Sequence, residues 1–187
     1  MVDEPWRVVR QGYDDIGGRY HEWSHESPVR LRFVSEALAR LRPGSRVVDL
    51  GCGPGDPATR LLSEQHTVLG VDLSLAQLRL ARDLAPRASL VAADITAFSL
   101  ASGSVDAVVS FFALGHVPPA AHVPLLAGED VEERWLGVPM YFGGIGERAM
   151  TAAVRDAGLT LVTVERVGED EGEGQVVEFL WVTATKP

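Results

Sequence analysis

Asp49, Gly51, Gly53 and Gly55 lie in one short stretch, VVDLGCGPG, where an apolar run ends on a carboxylate and three glycines follow at alternate positions. Glycines so spaced let backbone amides approach a ligand that a Cβ would hold away. Two more carboxylates, Asp72 in VLGVDLS and Asp94 in LVAAD, close later apolar runs. Asp72 stands about 20 residues past the first glycine, the spacing at which an acid reaches a ribose diol. A nucleoside is the ligand this pattern predicts. A dinucleotide fits less well, because its fingerprint is G-x-G-x-x-G with a pyrophosphate on a helix N-terminus. Here the spacing is G-x-G-x-G with Pro54 inside it. Asp49 would repel a pyrophosphate and attract an ammonium group. The structural alternatives are a tight turn for the glycines, a helix cap for Asp72 and an ordinary strand-end acid for Asp94.

These residues need a scaffold, and the chain spells one out. SPVRLRFVSEALARLRPG predicts a helix capped by Ser27, with Pro28 in its first turn and Pro43-Gly44 ending it. Leu31, Val34, Leu38 and Leu41 recur along it at helical spacing. SRVVDLG is a buried strand, and Asp56-Pro57 opens a helix carrying Leu61 and Leu62. TVLGVDLS is a second strand ending at Asp72. Ser74 caps the next helix, LAQLRLARDLAP. ASLVAAD is a third strand and SVDAVVSFFAL a fourth. Uninterrupted apolar strands alternating with helices imply an α/β fold with a parallel sheet covered on both faces. From His116 to Gly146 no clear strand is legible. ERAMTAAVRDAG is a helix closed by Gly158. LTLVTVERV and VVEFLWVTATK form an antiparallel hairpin with an acidic tip.

The composition narrows the function. The 187 residues suffice for one domain, 1–187. A net charge of −9 argues against a nucleic-acid partner. A single cysteine, Cys52, excludes an intrachain disulfide and a cysteine zinc cage, and no metal is expected. The N-terminus lacks a signal-peptide pattern, and the long uncharged run after Ala107 is broken by Pro118, Pro119 and Pro124. The expectation is a cytoplasmic protein without membrane contact, monomeric or homodimeric.

VVDLGCGPG, VLGVDLS, LVAADI and SVDAVVSFFALGHVP resemble successive motifs of the class I S-adenosylmethionine-dependent methyltransferases. The resemblance runs from about Tyr13 to Val117 and resumes from about Glu132 to Lys186. It implies a Rossmann-like doubly wound sheet with a C-terminal antiparallel hairpin, and S-adenosylmethionine as cofactor. It implies an N-terminal lid over 1–27, a cofactor-binding core over 44–117 and an acceptor-pocket segment over 127–146. Gly51, Cys52, Gly53 and Gly55 would admit the cofactor to the backbone, and Asp49 would lie near its methionine amino end. Asp72, with Leu73 beside it, would accept from the ribose hydroxyls. Asp94 would accept from the adenine amino group, with Ile95 flanking the ring. Ser110 and Phe111 would stand near the methionine portion. Tyr13 and Tyr20 would belong to the lid.

Methyl transfer needs a general base only where the acceptor loses a proton as it reacts. His21, His25 and His116 are the weak candidates, and His116 reads more readily as a structural histidine at a loop entrance than as a base. Trp135, Met140, Tyr141 and Phe142 form an aromatic patch expected to wall an acceptor pocket, with a core-packing loop as the alternative. The acceptor is expected to be a small apolar or aromatic metabolite. A cofactor-binding protein without turnover stays open as a second class. The chain departs from its family after the fourth strand, where roughly 20–25 residues, a helix tail plus a fifth parallel strand, are absent near Leu126. The segment is either outside this sequence, deleted, or replaced. Its absence would leave the fourth strand to pair with the terminal hairpin or to stand open.

Overall fold

The structure, a computed structural model, describes residues 4–118, 129–170 and 176–187. The N-terminal residues form two helices, α1 (Pro5–Ile16) and α2 (Gly18–Ser24), followed by α3 (Pro28–Arg40). Ser27 caps α3 as expected: its Oγ accepts from Arg30 N at 3.1 Å. Four parallel strands follow, β1 (Arg46–Leu50), β2 (Thr67–Asp72), β3 (Ser89–Ala92) and β4 (Ala107–Val109). They are joined by α4 (Ala58–Ser63), α5 (Leu75–Leu84) and a connection into β4. The sheet order is β3-β2-β1-β4, so the direction of growth reverses at β1. A crevice opens beyond the carboxyl ends at such a switch point.

Burial explains why these apolar runs form the sheet. Val47 and Val68 pack with Leu62 of α4, and Leu38 and Leu41 of the α3 end close over them. Asp49 lies on the same face of β1 as Val47, which aims its carboxylate at α4. The second helix cap is also as predicted, with Ser74 Oγ accepting from Gln77 N at 3.2 Å. The α3 register differs from the expected stripe in one place. Leu31 is exposed, and Arg30, Phe33 and Val34 turn inward. The cause is the C-terminal hairpin, whose Trp181 stacks flat on Phe33 with ring centroids 3.9 Å apart.

Two strands occupy the region where no strand was legible. β5 (Glu129–Trp135) and β6 (Val138–Gly143) pair antiparallel. Leu136 and Gly137 turn between them, both with positive φ (48° and 86°), as a two-residue hairpin turn of the primed type requires. The hairpin is held by α1 and α2: Ile16, Tyr20, Trp135, Val138 and Met140 form one buried cluster. α1 crosses β6 at Gly12, where a Cβ would stand 2.6 Å from Met140 Cε and 3.0 Å from the Pro139 carbonyl. Glycine there lets the helix approach without displacing the Met140 side chain.

A helix, α6 (Glu147–Asp156), leads into β7 (Thr160–Asp170) and β8 (Val176–Thr185), the expected antiparallel hairpin. Among the described residues the hairpin shares no hydrogen bonds with β4, and the parallel sheet has no fifth strand. β4 is shorter than the apolar run around it, and Val108 is half exposed. The hairpin reaches the sheet through rings instead: Phe112 meets Phe179 and Trp181 edge to face, and Phe111 leans on Trp181. The Leu126–Ala127 junction lies outside the described residues. Among those residues, no helix is long and apolar enough to cross a membrane.

Candidate active site

A cavity of about 180 Å³ lies at the carboxyl ends of β1, β2 and β4, beneath α1. Asp49, Gly51, Cys52, Gly53, Asp72, Leu73, Asp94, Ile95 and Phe111 line it, together with Tyr13, Tyr20 and His116. The sequence motifs thus converge on one place. Gly55 and Ser110 do not line it. Ser110 instead donates to the Leu50 carbonyl at 2.9 Å and ties the end of β4 to β1.

Each carboxylate is held differently. Asp72 Oδ2 accepts from Gly53 N, and its Oδ1 from Ser74 N, both at 2.8 Å. The carboxylate therefore braces the glycine loop as well as facing the cavity. Burial raises its pKa, and the amides of Ser74, Gly53 and Leu73 oppose the shift. Asp94 Oδ1 accepts from Thr96 N at 2.8 Å and Thr96 Oγ1 at 2.7 Å, a local turn at the cavity wall. Asp49 is 1% exposed. Its Oδ2 accepts from Thr59 Oγ1 at 2.7 Å, and its Oδ1 has no hydrogen-bond partner among the described residues. Burial pushes its pKa up to about 6, opposed by the Thr59 hydroxyl and by Arg30.

Arg30 was not foreseen from the sequence. Its guanidinium is buried at the cavity wall and lies 4.5 Å over the Phe112 ring. Nη2 donates to Tyr20 Oη at 3.0 Å, and Nε has no hydrogen-bond partner among the described residues. A buried cation without a bonded carboxylate is costly and favours an anionic ligand group beside it. Phe112 adopts a φ of 61°, unusual for a bulky residue, and this turn carries its ring beneath Arg30.

Helix α1 is latched to the start of α5. Asp14 Oδ1 accepts from Ser74 Oγ at 2.6 Å and from Ala76 N at 3.0 Å. Gln77 Nε2 donates to the carbonyls of Tyr13 and Gly17. These contacts set Tyr13 against the strand ends, where its Oη meets His116 Nε2 at 2.8 Å.

Two expectations need correction. Trp135, Met140, Tyr141 and Phe142 do not wall the cavity. Trp135, Met140 and Tyr141 are buried, and with Phe142 they pack behind Tyr13, Tyr20 and His116. Hairpin pairing turns these side chains onto α1 and α2, so they support the site from outside. His21 and His25 do not line the cavity either. His21 Nδ1 lies 3.8 Å from Asp56 Oδ2, and His25 Nδ1 bonds carbonyls of its own helix. Cys52 is a buried small residue whose thiol burial pushes well up from its ordinary pKa, so it is no nucleophile. Among the described residues no cluster of His, Cys, Asp and Glu could hold a metal ion.

A family model described as a methyltransferase domain matches residues 47–128, from β1 through the glycine loop and the acids of β2 and β3. Residues 47–128 thus carry a methyltransferase domain, similar to those of the class I S-adenosylmethionine-dependent methyltransferases. The chain matches the trans-aconitate 2-methyltransferase of Paracidovorax citrulli with 46% identity over 89 residues, 42% of this chain and 34% of that one. It matches the demethylmenaquinone methyltransferase of Beutenbergia cavernae with 37% identity over 125 residues, 64% of this chain and 52% of that one. The chain thus spans from a third to a half of the length of these relatives. In fold it is similar to the magnesium protoporphyrin IX methyltransferase of Synechocystis PCC 6803, solved with S-adenosylmethionine bound. That likeness has a TM-score of 0.71 and 18% identity, covering 100% of this chain and 99% of that one. The Rossmann-like class expected from the sequence is the class observed.

Proposed function

We propose that this methyltransferase uses S-adenosylmethionine to methylate a small molecule. One observation carries the reading: two buried charged groups in the cavity wall, Asp49 and Arg30, each keep a polar atom without a protein partner among the described residues. A zwitterionic amino acid tail supplies what both need. Its ammonium group suits Asp49 Oδ1, directly or through water, and its carboxylate suits Arg30. Asp72 would accept from the ribose hydroxyls while holding Gly53, and Asp94 would accept from the adenine amino group, with Ile95 and Leu73 against the ring. The cofactor, when bound, supplies a methyl group on a sulfonium, which leaves by in-line displacement. The chain's task is then to align an acceptor and keep water out. Trp6, Val9, Phe111, Phe112, Val117 and Pro118 give the cavity an apolar lining suited to an apolar or aromatic acceptor.

Calorimetric titration is expected to give binding of S-adenosylmethionine and of S-adenosylhomocysteine, and none of NAD. Heat with NAD alone would overturn the reading. A second reading, cofactor binding without turnover, draws on the closed packing of Trp135, Met140, Tyr141 and Phe142, which leaves no aromatic wall of the expected kind. Methylated product from any small acceptor in a mass-spectrometric screen removes it.

The Asp49 carboxylate makes the affinity depend on pH. Its folded pKa, about 6, lies above the ordinary carboxylate value because the charge is buried. The fold is therefore relieved of a buried charge below that pH and bears it above. An ammonium ligand needs the charged form, so the expected affinity is constant above pH 6 and falls about tenfold per unit below it. In Asp49→Asn the affinity should be lower and flat across the same range. A wild-type Kd that does not change between pH 7.5 and roughly 5 would exclude Asp49 from the ammonium site.

A further inference from the structure

Tyr13 and His116 come from opposite ends of the cofactor-binding region, yet their side chains meet inside the cavity at 2.8 Å. The geometry fixes the protons. His116 Nδ1 lies 2.9 Å from the Tyr141 carbonyl, which can only accept. Nδ1 therefore carries the hydrogen and Nε2 is bare. The Tyr13 hydroxyl must then donate to Nε2, and its oxygen, which also meets the Tyr20 hydroxyl, keeps one lone pair to accept from a third group. His116 is wedged among Tyr13, Trp135 and Phe142, all ring contacts, and Tyr141 contributes its carbonyl. No charged group touches it among the described residues. Burial lowers its pKa, which keeps it neutral. Around Tyr13 stand Tyr20, Asp72 and Arg30.

Resting on the methyl-transfer reading, we propose that Tyr13 and His116 form a proton relay for a hydroxyl acceptor, which makes this an O-methyltransferase. The acceptor O–H donates to Tyr13 Oη. As the acceptor oxygen gains the methyl group, with the carbon–sulfur electron pair left on sulfur, its proton passes to Tyr13 Oη. The Tyr13 proton passes at the same time to His116 Nε2. The positive charge lost from sulfur reappears as imidazolium, so charge balances. A weak base suffices, because the acceptor proton becomes acidic only while the new bond forms. The relay lies beside the apolar lining, which suits a hydroxyl on an aromatic body. The hairpin β5–β6 acquires a role here: its Tyr141 carbonyl selects the tautomer and its rings hold the imidazole in place.

The test uses the whole chain with catechol and 3,4-dihydroxybenzoate as probes. Nitrogen-15 NMR of His116 in the free protein should show a neutral ring with hydrogen on Nδ1 at neutral pH. His116→Gln keeps both hydrogen bonds and removes the base. It is expected to lower kcat about 100-fold and to leave the Kd for S-adenosylmethionine within about twofold. Tyr13→Phe should lower kcat in the same sense. The wild-type kcat should show an acid limb below the ordinary histidine range, absent from His116→Gln. An Nε2-H tautomer overturns the relay, and so do unchanged turnover numbers in both variants. A wild type that binds S-adenosylmethionine but methylates neither probe also overturns it while sparing the cofactor reading. A wild type that binds no S-adenosylmethionine overturns the cofactor reading, and the NMR result still judges the tautomer.

Discussion

Gly51→Ala is expected to abolish measurable S-adenosylmethionine binding and to lower the denaturant midpoint far more than Gly44→Ala. Both glycines have left-handed φ values, 74° and 75°. An alanine at either therefore meets the same backbone cost, about 1–2 kcal/mol. The surroundings differ. Nothing lies within 4 Å of a Cβ placed on Gly44, whereas one on Gly51 runs into the Ala113 Cβ. Ala113 belongs to the turn that follows β4 and carries Phe111, Phe112 and His116 toward the cavity. Relieving the clash displaces that turn or the glycine loop, at a further cost of about 1–3 kcal/mol. Either movement also breaks the cavity wall. Urea unfolding of both variants and calorimetry on the folded protein check this. Equal midpoints for the two variants would mean that only the backbone angle matters at Gly51.

The glycine loop and its acids were legible because they obey local rules. An apolar strand must end where the backbone leaves the sheet, and Asp49 and Asp72 mark that exit directly, with Asp94 two residues past β3. The helix caps at Ser27 and Ser74 were legible for the same reason. Arg30 was not. It sits in a helix with two other arginines, and only tertiary packing distinguishes it from Arg32, which pairs with Glu36 and Glu165 at the surface. The β5–β6 hairpin escaped because GEDVEERW carries a charged run where alternation would betray a strand. Its one local signal was Leu136-Gly137, a weak turn dipeptide. The fate of the aromatic patch was hidden too. Whether Trp135 and Phe142 face a ligand or the N-terminal helices depends on how β6 meets α1 at Gly12, a contact between residues far apart in sequence.

Asp72→Ala is expected to weaken S-adenosylmethionine binding by roughly 100- to 1,000-fold, and Asp72→Asn by less. Reading Asp72 as a ribose acceptor alone predicts the loss of one charge-assisted pair, roughly 1.5–3 kcal/mol. The observed hydrogen bonds raise that figure. The same carboxylate accepts from Gly53 N and Ser74 N, so its removal also frees the glycine loop and the start of α5. The freed amides lose partners in a half-buried setting, and the loop must be re-ordered whenever the cofactor binds. Together these effects bring the expected loss to about 3–4 kcal/mol, which sets the fold-change. Asparagine keeps one carbonyl oxygen and can satisfy one of the two amides, so it should recover part of the affinity. A simple ribose contact predicts no such recovery of loop order. Amide hydrogen exchange at Gly53 and Ser74 separates the two effects: in Asp72→Ala both amides should exchange faster even without cofactor. Unchanged exchange together with a hundredfold weaker Kd would confine Asp72 to the ribose, and an unchanged Kd would remove it from the site.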